Sequence, residues 1–281
     1  MQTSGYVLSV EVYADAVKIG DAVDMGSGLW EFDWTPAYSE CGASVPIHAV
    51  INGSVATDSV AIEIYCPFID FGANIISEYR GEGLLVSGTD VVGIEEANGI
   101  SANDIGDSGV GFRPEKLSGA LAGRDVWQFD GATEYLTKTY TLAQPAFRLL
   151  VVRSDRLPPS AAEYLCDGGG GLYGMALARI STDALRLTSG VVLQTAAGVW
   201  PGADWAAFEL TSNGTSSDVT IDGSSVVSGD AGTNAPAGIV MGARGDLGAH
   251  NACTFAYSLD ISRLPTAGEL TRLRAFIVGS Y

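Results

Sequence analysis

The sequence predicts an all-β protein with one short helix at its C-terminal end. Three observations support this fold class. Short segments of alternating apolar and polar residues recur along the chain, 36 of its 281 residues are glycine, and Asp-Gly pairs stand between segments. Alternation with a period of two is typical of half-buried strands, and Asp-Gly favours the tight turns that join them.

The composition limits the kinds of partner that the protein is expected to bind. Hydrophobic residues make up 47% of the chain and charged residues 17%, so a core can form. The formal net charge of −18 argues against a nucleic-acid partner, which requires clustered Lys and Arg. The sequence contains no run of about 18 apolar residues, so we expect no transmembrane helix. The start "MQTSGYVLSVEVY" lacks the basic and apolar regions of a signal peptide, so we expect synthesis in a cytoplasm and no membrane partner.

The first elements are strands over residues 6–65. "YVLSVEVYAD" and "LWEFDWTP" alternate, and "VPIHAVINGSVATDSVAIEIY" indicates a hairpin. Pro67 then interrupts strand pairing, which predicts a first domain at residues 1–67.

This first domain resembles bacterial immunoglobulin-like domains. The matching positions are Val10, Val12, Asp15, Gly20, Trp30, Phe32, Trp34, Thr35, Pro36 and Gly42. The family has two further strands before "VLSVEVY", so the resemblance implies a strand-deficient sandwich or one that a partner chain completes. A homo-oligomer is therefore one expected assembly.

Four cysteines are present, and none belongs to a CxxC pair, which argues against a zinc site. Buried thiols are expected for Cys166 and Cys253. Cys41 precedes the first strand of the predicted hairpin and Cys66 ends the second, so these two could reach each other. A Cys41–Cys66 disulfide and two free thiols stay open as alternatives, because a cytoplasmic origin argues against the bridge.

The second predicted domain covers residues 68–281. Residues 68–123 are rich in glycine and acidic residues, whereas residues 124–263 contain many short strands, as in a β-sandwich or jelly roll. "AFRLLVVR" is apolar on both faces, as expected of a strand between two layers. In "LPTAGELTRLRAFIVGSY", Thr266 and Glu269 form a capping box, and Gly279 is expected to end the helix.

The order of motifs in this second domain resembles the concanavalin A-like (laminin-G/pentraxin-like) sandwiches of phage and bacterial surface proteins. The matching pieces are "FDGATEYL", "AFRLLVVRSD", "VTIDG", "IVMGAR" and the C-terminal segment from "FAYSLDISR" to the end. The resemblance implies a jelly-roll sandwich of two antiparallel sheets, often with glycan or protein binding. In "VWQFDGATEYL" we expect Trp127 and Phe129 to face the core and Asp130-Gly131 to turn the chain.

Sugars stack on exposed aromatic rings. The candidates for a glycan site are Trp200, Tyr173, Tyr135 and Tyr140, with Trp200 favoured because "AAGVWPGADW" indicates a loop. Core packing is the preferred interpretation of Trp127 and Trp205.

No cofactor is required by the sequence, but calcium is the usual ion of this family and binds loop oxygens. "SANDIGDSG" offers Asn103, Asp104 and Asp107 as calcium ligands.

The sequence provides no obvious catalytic set. Glycosidases of this fold carry Glu-x-Asp-x-x-Glu along one strand, which is missing, and Glu95 and Glu96 should point to opposite faces. Only His48 and His250 could join a catalytic triad. The sequence therefore predicts a protein that is not an enzyme.

We thus expect a structural protein on the virion surface of a tailed phage, either a capsid decoration or a tail protein. Its expected partners are other virion proteins and a surface polysaccharide. A soluble carbohydrate-binding lectin is one alternative, and a glycan hydrolase or lyase is another.

Overall fold

The computed structural model describes residues 10–14, 17–26, 29–31, 44–51, 54–63, 70–97, 104–106, 109, 111–154, 161–168 and 173–280. The chain divides into two compact units, Met1–Asp70 and Phe71–Tyr281. The all-β class is confirmed: strands dominate both units, and the larger unit ends in one α-helix.

The smaller unit is a set of antiparallel strands. They are β1 (Val10–Ala14), β2 (Val17–Asp21), β3 (Val23–Gly26), β4 (Leu29–Glu31), β5 (Ser44–Ile51) and β6 (Ser54–Glu63). A four-stranded sheet has the order β2-β1-β5-β6, and β3 pairs with β4. Val10, Val12 and Ala14 are buried on one face of β1, and the predicted hairpin pairs Ile47 with Val60. The immunoglobulin-like identity of this unit and its completion by a partner chain stay predictions.

The larger unit contains fifteen of the described strands. They are β7 (Ile75–Ser87), β8 (Asp90–Glu96), β9 (Glu115–Leu121), β10 (Arg124–Gln128), β11 (Leu136–Thr139), β12 (Ala146–Arg153), β13 (Glu163–Asp167), β14 (Ala176–Arg179), β15 (Leu185–Thr188), β16 (Val192–Gln194), β17 (Ala206–Ser212), β18 (Ser217–Ile221), β19 (Ser224–Gly229), β20 (Gly238–Met241) and β21 (Thr254–Ile261). Two short 3-10 turns, Gly72–Asn74 and Gly214–Ser216, and helix α1 (Ala267–Ser280) complete it.

These strands form two sheets that enclose a common core. One sheet has nine strands in the order β10-β9-β8-β7-β21-β12-β17-β18-β19, and the other has six in the order β11-β20-β13-β14-β15-β16. Leu150 and Phe208 of the nine-stranded sheet share one buried cluster with Leu177, Leu187 and Ile239 of the six-stranded sheet. The larger unit is therefore a β-sandwich.

The nine-stranded sheet is buried on both faces where α1 covers it. Phe147, Leu149 and Val151 of β12 pack in a second cluster with Leu273 and Ile277 of α1. Because the alternate residues of β12 face the sandwich interior, every residue of this strand except its last is buried. The prediction that "AFRLLVVR" lies between two layers is confirmed.

The capping box of α1 is confirmed. The amide of Thr266 donates to Glu269 Oε2 at 2.7 Å, and the amide of Glu269 donates to Thr266 Oγ1 at 3.3 Å. An ion pair with Arg263 lowers the pKa of Glu269 to about 2. The helix extends through Ser280, so the expectation that Gly279 ends it is wrong by one residue.

The segment "VWQFDGATEYL" is structural, as predicted. Trp127 and Phe129 are buried and both pack on Phe255, with ring centroids 6.0 and 5.6 Å away. Asp130 Oδ1 accepts hydrogen bonds from the three amides of residues 132–134, the chemistry of an Asx turn.

Over the part of the chain that the structure describes, no helix has the length and apolar character needed to cross a membrane.

Candidate functional site

Trp200 is buried, with 7% of its surface exposed. Its ring stacks on Phe208 at 5.3 Å between centroids, and the guanidinium of Arg179 lies 4.8 Å from the ring centre. Its indole N–H donates to the carbonyl of Gly202 at 2.8 Å. The prediction that Trp200 offers an open ring to a sugar is wrong, because the loop turns the ring into the core.

The hydroxyl of Tyr140 is also engaged in hydrogen bonds within the fold. It donates to Asp260 and accepts from Ser77 Oγ at 3.2 Å. Asp260 in turn pairs with Arg148 at 2.6 Å, and both of these side chains are fully buried. Burial raises the pKa of Tyr140 well above its usual value. Tyr140 therefore helps to satisfy a buried ion pair, which corrects its assignment as a glycan-binding residue.

The other two predicted residues, Tyr135 and Tyr173, are partly exposed. We group them with their neighbouring rings and one guanidinium as the aromatic strip, which is defined by Phe112, Tyr135, His250, the buried Tyr164, Tyr173 and Arg244.

One half of the aromatic strip surrounds Tyr135. Its ring lies 5.8 Å from that of Phe112 and 6.3 Å from the imidazole of His250, measured between centroids. Phe112 is 42% exposed. The Nδ1 atom of His250 lies 3.2 Å from the carbonyl oxygen of Glu134, which fixes the imidazole beside the tyrosine.

The other half surrounds Tyr173. Its ring lies 6.3 Å from that of Tyr164, and the Arg244 guanidinium lies 5.8 Å from the Tyr164 ring centre. The amide of Tyr164 donates to the carbonyl of Ala249 at 3.2 Å. Because Ala249 precedes His250 in the chain, this bond brings the two halves together.

A shift in strand register sets the direction of Tyr164. The pairing of β13 with β14 is irregular between Tyr164 and Cys166. Leu165 and Cys166 both join the sandwich core, whereas Tyr164 belongs to a separate cluster with Ala176 and Ala178. Bulges of this kind re-aim side chains, often beside functional sites.

Asp167 ties together the loops that carry Tyr173 and Arg244. Its side chain is fully buried, and Oδ1 accepts from the amides of Gly168 and Gly174 at 2.7 and 3.1 Å. Oδ2 accepts from the amides of Tyr173 and Gly245 at 3.3 and 2.9 Å. Burial raises the pKa of this carboxyl, and the four amides oppose that rise.

Unfavourable backbone geometry is concentrated around these loops. Among the described residues, seven non-glycine residues have positive φ, and four of them lie here: Tyr173 (62°), Met175 (60°), Leu247 (61°) and Ala249 (52°). Such conformations persist where surrounding contacts enforce them, and they cluster at binding and catalytic sites.

Two carboxyl groups that precede Tyr135 in the chain, those of Asp130 and Glu134, have shifted pKa values. Burial raises the pKa of Glu134 to about 7, helped by the nearby carboxylates of Asp130, Glu115 and Asp90. Three backbone amides hold the pKa of Asp130 below its usual value although burial opposes this. The strip therefore combines aromatic faces with hydrogen-bonding groups, the combination that sugars require.

The predicted calcium site is not assembled by the described residues. Asn103 and Asp107 lie outside them, and Asp104 Oδ1 accepts from the amide of Glu96 at 2.8 Å. No group of three metal-ligating side chains is found in the described ranges. Cys41 and Cys66 also lie outside them, so their disulfide stays a prediction.

The burial of two cysteines and two glutamates tests further predictions. Cys166 and Cys253 are buried free thiols, as expected. Glu96 is buried and Glu95 exposed, as expected for opposite faces.

A groove lies beside α1. This groove has a volume of about 350 Å³, and its apolar lining includes Leu149, Leu273 and Ile277. Trp205 forms one wall, with the Arg153 guanidinium 5.1 Å from its ring centre, and packs on the cluster beneath α1. The prediction that Trp205 packs in the core is therefore confirmed only in part, because its ring also lines the groove.

Sequence reasoning missed Phe112, Tyr164, His250 and Arg244 as members of the site. Phe112 and Tyr164 are far apart in the sequence and show no shared pattern. Arg244 occurs in "RGD", whose Arg and Asp form an ion pair at 2.6 Å. Only this Arg-x-Asp pair in a glycine-rich segment could have indicated from the sequence that Arg244 belongs to the site.

No protein-family model matches this chain, and no curated protein sequence does. Solved structures do share its fold. Trypanosoma rangeli sialidase matches with a TM-score of 0.54 at 12% identity, over 84% of this chain and 43% of that protein. The same sialidase in complex with sialic acid matches with a TM-score of 0.54 at 15% identity, over 73% of this chain and 33% of that one.

A third solved structure is the binding domain of Paraclostridial Mosquitocidal Protein 1. It matches with a TM-score of 0.53 at 11% identity, over 72% of this chain and 52% of that one. The present chain thus spans less than two thirds of each of these proteins. At such identities the likeness shows the fold, a β-sandwich, and not the function.

These comparisons correct the expectation that the protein is not an enzyme. That expectation rested on a missing Glu-x-Asp-x-x-Glu run and a missing catalytic triad. Sialidases are enzymes, and they share this fold with the chain. The absence of one family's catalytic motif therefore does not exclude catalysis.

Proposed function

We propose that the larger unit binds glycans through the aromatic strip. The observation that carries this proposal is that Tyr135 and Tyr173, two residues predicted from the sequence to stack on sugars, are both partly exposed and belong to linked groups of rings. Tyr135 contacts Phe112 and His250, and Tyr173 contacts Tyr164. The amide of Tyr164 bonds to Ala249, the residue before His250. The rings of the strip supply apolar faces for sugar C–H groups, while neighbouring polar groups can bond to hydroxyls.

The structural neighbours support this class of ligand. One sialidase structure with the same fold is a complex with sialic acid, and another neighbour is the binding domain of a mosquitocidal protein. Buried hydrogen bonds hold the loops of the strip in unfavourable backbone conformations, and such preorganisation favours binding.

The proposal is tested by titrating the full chain with glycans that an array identifies as ligands. Tyr135→Ala and Tyr173→Ala should each weaken binding by at least about tenfold, since a central interface aromatic contributes about 1–2 kcal/mol or more. Tyr135→Phe and Tyr173→Phe retain the rings and should bind within about threefold of the wild type. Equal affinity of the alanine variants and the wild type would place the site elsewhere.

A second candidate function is hydrolysis of the bound glycan. One observation favours it: the amide of Asp130 donates to Glu134 Oε2 at 2.6 Å, so the two residues are neighbours, and burial raises the pKa of Glu134 to about 7 while backbone amides keep that of Asp130 below its usual value. A proton-donating acid next to an ionised carboxylate is the arrangement that glycosidases use. Release of reducing sugar by the wild type that Glu134→Gln abolishes would support it. Retained release in that variant would exclude Glu134 as the acid.

The finer hypothesis places this glycan-binding surface on a tailed-phage particle. It rests on the resemblance of the sequence to concanavalin A-like domains of phage and bacterial surface proteins. None of the three solved structures described above is a phage protein. The test is copurification with intact capsids or tails, and absence of the protein from purified particles would remove the hypothesis.

A further inference from the structure

The cationic residue of the aromatic strip is already neutralised within its own turn. Arg244 donates to Asp246 through two bonds, Nε to Oδ1 at 2.8 Å and Nη2 to Oδ2 at 2.6 Å. The amide of Gly248 donates to Asp246 Oδ1 at 3.1 Å, which holds the carboxylate in this position. Such a two-bond pair occupies the guanidinium edge that an acidic sugar would use.

The ion pair is nevertheless at the surface. The side chains of Arg244 and Asp246 are 30% and 41% exposed. The hydrogen bond from Arg244 lowers the pKa of Asp246 to about 2, so the carboxylate stays ionised at neutral pH. A ligand that approaches Tyr173 therefore meets an ion pair of nearly zero net charge.

Carboxylates lie close to the Tyr135 half of the strip. Asp130, Glu115 and Asp90 each act on Glu134, the residue before Tyr135, and the amide of Asp130 donates to Glu134 Oε2 at 2.6 Å. The chain as a whole has a formal net charge of −18. An acidic glycan would therefore be repelled at this end and would find no unpaired guanidinium at Arg244.

We propose that the aromatic strip selects glycans without acidic groups, and that Asp246 determines this selectivity by occupying Arg244. This inference rests on the proposed glycan binding. It distinguishes the strip from a site built to hold a sugar carboxylate, which would present a free arginine.

The test is an array of oligosaccharide pairs that differ only by a terminal sialic acid, probed with the full chain and followed by titration of the best pair. The wild type should bind the uncharged member at least about tenfold more tightly. Asp246→Asn removes one negative charge and releases Arg244. It should strengthen binding of the sialylated member about tenfold and change binding of the uncharged member less than about twofold.

Asp222→Asn is the matched control, because it removes the same charge beside the α1 groove and keeps an oxygen for the bond from the amide of Ala207. It should leave the preference within about twofold of the wild type. A wild type that prefers the sialylated member would overturn the inference while leaving glycan binding intact. So would an Asp246→Asn preference equal to that of the control. A wild type that binds no glycan would overturn the proposed function itself.

Discussion

Substitution of Asp167 by asparagine should destabilise the larger unit strongly although it changes so few atoms. The two carboxylate oxygens each accept from two backbone amides. Asparagine retains one acceptor oxygen and turns an NH₂ group toward the other two amides. Two buried N–H groups then lose their acceptor, at a cost of about 1–3 kcal/mol each, so the free energy of unfolding should fall by about 2–6 kcal/mol.

Relief of a buried charge opposes this loss, because burial raises the pKa of Asp167. We therefore expect a value in the lower half of that range. The measurement is urea unfolding of the full chain, followed by tryptophan fluorescence, with hydrogen exchange of the amides at residues 168, 173, 174 and 245. These amides should exchange faster in Asp167→Asn than in the wild type.

Asp130→Asn provides the control. Asp130 uses a single oxygen, Oδ1, for its three amides, and asparagine keeps that oxygen. This variant should lose less than about 1 kcal/mol. If Asp167→Asn unfolds at the same urea concentration as Asp130→Asn, the role assigned to the buried carboxylate is refuted.

Three further outcomes are expected. Trp200→Ala should reduce the free energy of unfolding by about 3–5 kcal/mol because it opens a cavity in the core. Urea unfolding measures this change, and an unchanged free energy would contradict the burial of Trp200. Thr266→Ala should cost about 1 kcal/mol by removing the cap of α1, and an unchanged urea midpoint would argue against the capping box. Glu134 has a pKa of about 7 when folded and 4.5 otherwise, so its contribution to stability is complete below pH 4.5 and disappears as the pH rises to 7. Glu134→Gln should therefore flatten the dependence of Tm on pH between 4.5 and 7, and an unaltered dependence would refute the shift.

The elements that local chemistry specifies could be predicted from the sequence. The alternation of "AFRLLVVR", the Asp130-Gly131 turn and the Thr266–Glu269 capping box each depend on residues within a few positions of one another. The structure contains all three. Hydrophobic period and turn chemistry act over this same short range.

The site could be predicted only in part, because exposure of a ring depends on distant partners. Trp200 and Tyr173 both occur in glycine-rich loops, yet Phe208 of β17 covers Trp200 while Tyr173 stays partly exposed. Nothing near Trp200 in the sequence identifies Phe208 as its partner. Likewise, Tyr140 could not be linked to Asp260 across 120 positions.

Glycan binding by the aromatic strip is tested most directly by titration of one glycan, identified on an array, into the wild type and Tyr173→Ala. Trp205→Phe, which alters a residue beside the α1 groove, is the control. The account predicts that Tyr173→Ala weakens binding by at least about tenfold and Trp205→Phe by less than about twofold. Loss of binding in Trp205→Phe with full affinity in Tyr173→Ala would contradict it and transfer the site to the groove.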